Sequence, residues 1–310
     1  MSSRQIASAI AAVREAAARA AWTQWGAVFT FAAGGQTAKA IVDPEALLLG
    51  SLALSGHEAR LWRVARLWVR YGARLLSVQR AKNIARRFPP MVVGQLGELA
   101  RLAVEEGGDV RWRSLAGPSP PDMPAGRREP QANPVLEGAP ALMLRLRLGF
   151  GVGIKADVVS HLVGLAGAGA TVQQIAEATQ YYGRAVRRAI EELAASGFID
   201  ARSTAPASYR VDVHKWADLL AITADDSPAW RPWVGIYALE AALDAWESRP
   251  APESGFVLAS EARDLVAEHA PSLESAGVRL PALSKHRGQA YLEPFGRALT
   301  EVAEFLASAV

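Results

Sequence analysis

"TVQQIAEATQYYGRAVRRAIEELAASGFI", residues 171–199, holds two helical patterns separated by a short turn. The first, "TVQQIAEAT", opens on Thr171, whose hydroxyl can accept a hydrogen bond from the free amides of a helix start. "QYYG" interrupts it. "RAVRRAIEELAASGF" then repeats Val186, Ala189, Ile190 and Leu193 at the three- and four-residue spacing of a helix with one buried face. Arg184, Arg187, Arg188 and Glu191 fall off that stripe, and Gly197 supplies a terminating residue. Three arginines therefore crowd the start of one helix, away from its apolar side.

The flanks extend the pattern. "KADVVSHLVGLAG" precedes it as a helix with Val158, Leu162 and Leu165 turned inward. "FIDARSTAPASYRVDV" follows it as two short β runs around a Ser/Thr/Ala/Pro turn. This order of elements resembles the winged helix-turn-helix domain of bacterial transcription regulators of the MarR, ArsR and GntR type. The resemblance rests on "KADVVSHL", the opening stretch and "YRVDV", about 60 of the 310 residues. It implies that the helix at 183–197 enters the major groove and that the wing at 198–213 touches the flanking backbone. Carried over by position, Thr171, Gln173, Tyr181, Tyr182, Arg184, Arg187 and Arg188 lie at the groove, with Arg202, Ser203, Thr204 and Arg210 on or near the wing.

Physical chemistry agrees with that placement. An arginine that neutralises a phosphate releases condensed counterions, and its guanidinium can bind guanine O6 and N7 together. The competing account is a solvated helix face, with Glu191 and Glu192 pairing with Arg187 and Arg188 at helical spacing. Winged helices also dock proteins, so the fold alone does not assign the function.

Charge divides the rest of the chain. Residues 1–116 carry 16 basic against 8 acidic side chains, whereas 216–310 carry 7 against 14. Such asymmetry suggests a polyanion-facing portion joined to an acidic one. Between them, "GPSPPDMPAGRREPQANPVLEGAPA" at 117–141 has seven prolines and little apolar periodicity, the composition of an extended linker. The expected organisation is a basic helical domain at 1–116, a Pro/Gly-rich linker at 117–141, the winged helix-turn-helix domain at 142–215 and an acidic helical domain at 216–310. The fold class is mainly α, with three helices and a β wing at the centre.

Other stretches say less. "SVQRAKNIARRF" sets Arg80, Lys82, Arg86 and Arg87 close together, either a second basic patch that extends the surface or a solvated face. "WTQWGAVFTFA" at 22–32 is compatible with a short hairpin, and "LMLRLRLGF" at 142–150 leans towards a helix. "GFGVGIK" at 149–155 lacks the spacing of a phosphate loop and reads as a glycine-rich break. His161 is most simply a packed core residue.

The chain has no cysteine and five scattered histidines, which leaves no thiolate site and no ligand-like spacing for a metal. No spacing assembles a Ser/His/Asp set or a carboxylate pair, so the expectation is a non-enzyme without cofactors. The N-terminus alternates charge with alanine in place of a signal-peptide core, and no apolar run reaches the roughly 18 residues of a membrane span. A cytoplasmic, sequence-specific regulator of transcription is expected, acting as a repressor, with an antitoxin-like role as one form. Its expected partners are double-stranded DNA, a second copy of the chain and a protein encoded nearby, with no membrane. The alternative is a neutralising module whose winged helix docks a protein.

Overall fold

A computed structural model describes residues 3–30, 38–117, 133–202, 205–222, 228–250, 254–274 and 278–309. The described residues form 13 α-helices and one two-stranded sheet, so the chain is mainly helical. None of these helices is long and apolar enough to cross a membrane.

Helix α1 (Ser3–Val28) buries Ile6, Ile10, Val13, Ala17, Ala20 and Trp25, a stripe at helical spacing. It continues through residues 22–28, where the sequence had suggested a hairpin; Trp25, Val28 and Phe29 are spaced to point inward together, and Trp25 meets Trp68 with ring centroids 5.6 Å apart. Helix α2 (Pro44–Leu54) is buried along its whole length. Asp43 caps it by accepting from the Ala46 amide, and Pro44 takes a first-turn position where no amide is missed. Helices α3 (Ala59–Gly72), α4 (Val78–Ala85) and α5 (Pro90–Glu105) pack around α2.

The second half alternates between two cores. Helices α6 (Leu142–Phe150), α7 (Ile154–Val163), α8 (Val172–Thr179) and α9 (Gly183–Ala195) are followed by strands β1 (Asp200–Arg202) and β2 (Ser208–Arg210) and helix α10 (Val213–Leu220). They close a small core of Val158, Leu162, Ile175, Val186, Ile190 and Trp216. Helices α11 (Trp233–Glu247), α12 (Gly255–Glu274) and α13 (Leu292–Ala309) return to the first core instead. There α13 lies along α1 and α11 lies against α2, so the basic beginning and the acidic end of the chain share one hydrophobic interior. At the α2–α11 crossing Gly50 faces the Tyr237 ring so closely that a Cβ would stand 2.4 Å from Cγ.

Of the proline-rich stretch, residues 118–132 lie outside the described residues. Its end is pinned: the Val135 amide donates to Val28 O at 2.8 Å and the Val42 amide to Pro140 O at 2.9 Å. Helix α10 straddles position 215, and its Trp216 and Leu220 belong to the smaller core.

Candidate nucleic-acid interface

The opening stretch folds as α8, a turn and α9. Thr171 and Gln174 cap α8 reciprocally: Gln174 Oε1 accepts from the Thr171 amide at 2.8 Å, and Thr171 Oγ1 accepts from the Gln174 amide at 3.3 Å. Thr171 therefore serves the helix start. Gln173 is exposed and donates to Glu177 Oε1 at 2.9 Å. The helix stops at Gln180, which takes the left-handed conformation with φ 60° and turns the chain towards α9.

Helix α9 buries Val186, Ala189, Ile190 and Leu193 and leaves Arg184, Arg187 and Arg188 exposed. Arg188 Nε pairs with Glu192 Oε1 at 3.0 Å, and Lys155 of α7 reaches Glu192 Oε2 at 2.8 Å. Among the described residues Arg184 and Arg187 make no ion pair, so the pairing of Arg187 with Glu191 allowed by spacing is not formed. Tyr182, at the N-cap of α9, is 66% exposed.

Strands β1 and β2 pair antiparallel, with Asp200 opposite Arg210 and Arg202 opposite Ser208. Ala170, between α7 and α8, joins them as a single bridge: its amide donates to Tyr209 O at 2.9 Å and its carbonyl accepts from the Tyr209 amide at 2.8 Å. Arg202 is exposed on β1; Arg210 is half-buried, with Nε 3.8 Å from Asp200 Oδ2. Ser203 and Thr204 lie outside the described residues.

Two residues expected at the surface are inside. Tyr181 is buried in the smaller core, and its hydroxyl lies 2.9 Å from Asp157 Oδ2 and 3.2 Å from Ser77 Oγ. Burial next to the Asp157 carboxylate raises the phenol's pKa. Arg80 is fully buried, so it belongs to no surface patch. Its Nη1 donates to Asp43 Oδ1 at 2.5 Å and Glu45 Oε2 at 2.6 Å, and its Nε donates to the Thr179 carbonyl at 2.8 Å. The physical reason lies in the register of α4: Arg80 shares the inward side with Ala81, Ile84 and Ala85. Its neighbours diverge. Lys82 and Arg86 are exposed, whereas Arg87 is half-buried and burial lowers its pKa.

Arg80 belongs to a buried ionic network that the sequence reading missed. Arg147 donates to Asp157 Oδ1 at 2.8 Å, Glu45 Oε1 at 2.6 Å and the Leu75 carbonyl at 2.9 Å. The Ser77 amide donates to Glu45 Oε1 at 2.6 Å. Burial pushes the Glu45 carboxyl up, but the charges of Arg147 and Arg80 outweigh it and hold the group at about 2. At Asp157 burial wins and the pKa is raised, while both guanidinium groups are held above their ordinary value by the carboxylates. The network joins α2, α4, α6, α7 and the turn before α9. A buried charge normally needs a partner; Arg147 among leucines and the acids at 43, 45 and 157 next to apolar residues were the available sequence signal, whereas Arg80, between Gln79 and Ala81 and close to Lys82, carried none.

Helix α4 also touches the turn from outside. Asn83 Nδ2 donates to Gln180 O at 3.1 Å, and Arg86 Nη1 lies 3.4 Å from the Tyr182 hydroxyl. The exposed cations of α4 and the start of α9 thus share an edge. His161 is buried against Trp230, and burial lowers its pKa to about 4. Among the described residues no group of His, Asp and Glu is arranged to hold a metal ion. The chain matches no protein-family model, no curated protein and no solved structure.

Proposed function

We propose that the unit from α7 to β2 is a winged helix-turn-helix and that the protein binds double-stranded DNA in a sequence-specific way to regulate transcription. The observation that carries this reading is the two-sided character of α9: four apolar residues hold it to the core while Arg184, Arg187 and Arg188 face outward. A helix seated this way can enter the major groove with its cations towards bases and phosphates. Tyr182 stands at its leading end, and Arg202 and Arg210 lie on the ribbon that would follow the flanking backbone. The Ala170 bridge, which ties that ribbon to the α7–α8 connection, supports the same arrangement.

Lys82 of α4 and Arg86 at its C-cap extend the surface, since Arg86 lies against Tyr182. The larger helical body thereby contributes phosphate contacts beside the groove-reading helix. A homodimer would present two copies of α9 to a repeated or palindromic site. Repression of the protein's own operon, in an antitoxin-like pairing with a neighbouring gene, is the regulatory form proposed.

Docking of a protein partner is the second reading. It is favoured by Phe198 and Leu219, large apolar side chains exposed beside the Phe150–Phe198–Trp216 ring cluster and in α10. Fluorescence anisotropy tests the two readings, using a duplex from the upstream region of the gene and a scrambled duplex over a salt series. Preference for the first duplex, with log affinity falling steeply against log salt, is the expected result. Absence of binding to either at low salt contradicts the DNA reading and leaves docking.

A further inference from the structure

At the far end of α9 from Arg184, three large apolar side chains reach solvent together. Leu148 in α6 is 55% exposed, Phe198 between α9 and β1 is 42% exposed, and Leu219 in α10 is 70% exposed. Contacts beneath them make them neighbours. The Phe198 ring lies 5.2 Å from that of Phe150 and 6.1 Å from that of Trp216, and the Trp216 indole donates to Phe198 O at 3.1 Å. Arg145, one turn before Leu148, donates to the carbonyl of Leu220, next to Leu219. The three side chains leave on the order of 300 Å² of apolar surface uncovered, the size at which a patch on a monomer is often functional.

We propose that two copies of the chain pair through this face, about a two-fold axis that passes next to Leu219. The pairing stands independently of the DNA-binding reading; only the spacing it sets rests on that reading. Charge and area favour a second copy over a partner of another sequence. The charges exposed beside Leu219 on α10 are Lys215 and Asp218, which cancel. A strongly basic or acidic partner finds no complement there, whereas a two-fold lets the lysine of each copy face the aspartate of the other. Homodimer interfaces are also the more apolar class. A stable one buries about 800 Å² per partner, so the patch supplies the dry centre and the surrounding surface of α6 and α10 the rim.

The position of the patch sets the reach of the pair. Helix α9 has 13 residues and is about 20 Å long at a rise of about 1.5 Å per residue. Tyr182 and Arg184 stand at its start, and Phe198 lies just past its end. A two-fold beside Phe198 therefore separates the two starts by up to about 40 Å. Half-sites one turn of DNA apart require about 34–36 Å, which a modest tilt of the helices towards each other provides. Pairing through the start of α9 would instead set arginines against arginines.

Sedimentation equilibrium of the full chain over a concentration series tests the pairing. The wild type is expected at twice its 33.1 kDa chain mass, and a variant with both Leu148→Glu and Leu219→Glu at 33.1 kDa with an unaltered circular dichroism spectrum and melting transition. A wild type that stays monomeric overturns the pairing and leaves the face to a partner of another sequence. A folded double variant that stays dimeric overturns it in favour of another surface. Should that variant not fold, Leu219→Cys decides: the chain has no cysteine, so a disulfide between copies can form only at the new position, and only where the two Cα atoms come within about 7 Å. Oxidation is expected to link Leu219→Cys and not Val110→Cys, an equally exposed position on the helical body; no preference for Leu219→Cys overturns the pairing. Anisotropy of the duplex then tests the spacing. Binding at least tenfold weaker in the monomeric variant is expected, and unchanged binding overturns the spacing. A dimeric wild type that binds no duplex defeats the DNA reading and the spacing with it, while the pairing stands.

Discussion

Arg80 Nε donates to the carbonyl of Thr179, the last residue of α8, across 2.8 Å of fully buried space. The same guanidinium is held by Asp43 and Glu45 at the start of α2. One side chain thus ties the helical body to the turn from which α9 departs. Removing it leaves two buried carboxylates short of a cation, and breaking a buried pair costs about 3–5 kcal/mol. Arg80→Ala is expected to lower the urea midpoint accordingly; a loss no greater than that of an exposed arginine such as Arg74→Ala contradicts the buried network.

Tyr181→Phe keeps the ring and deletes only the hydroxyl next to Asp157 and Ser77. A buried polar group deprived of its partner costs about 1–3 kcal/mol. Denaturation should show that loss, and hydrogen exchange should rise first at the amides of residues 179–183, the turn the hydroxyl anchors.

Glu240 gives the stability a pH dependence. It is buried in α11, neither carboxylate oxygen has a hydrogen-bond partner among the described residues, and burial followed by the charge of Asp244 pushes its pKa up to about 8. The folded state then holds a proton that the unfolded state releases near its ordinary 4.5. Stability therefore falls as pH rises from about 4.5 to about 8 and levels off above it. Glu240→Gln should melt with the wild type at pH 4 and above it at pH 9, by about 5 kcal/mol at most, the free energy that a rise from 4.5 to about 8 represents at about 1.36 kcal/mol per unit. Identical curves at pH 9 would show that the carboxylate is solvated.

Gly50→Ala tests the crossing of α2 and α11. The added methyl would meet the Tyr237 ring at 2.4 Å, and overpacking of this kind costs about 1–3 kcal/mol. The variant should melt lower than the wild type, whereas Gly56→Ala, where nothing lies within 4 Å, should not.

How much of this was legible depends on whether the information was local. The buried stripe of α9, the Thr171 cap and the two β runs are set by spacings within a few residues, and a sequence carries such spacings directly. The packing of α1 on α13 joins opposite ends of the chain and leaves no local trace. The charge difference between those ends even suggested separate units, because net charge reports on surfaces and not on the core beneath. Arg80 was misplaced because a cluster of cations looks like a solvated face until its register is compared with Ala81 and Ile84. Tyr181 was misplaced because neighbouring tyrosines have the same chemistry, and the one that turns inward follows a left-handed Gln180 and meets Asp157 and Ser77, residues distant in sequence.

The most direct measurement is duplex anisotropy with Arg184, Arg187 and Arg188 all changed to Glu. All three are exposed on α9 and outside its apolar stripe, so the variant should keep the wild-type melting behaviour. The expected result is loss of preference for the upstream duplex together with a shallower dependence of log affinity on log salt. A folded variant that binds that duplex as the wild type does contradicts the assignment of α9 as the groove-reading helix.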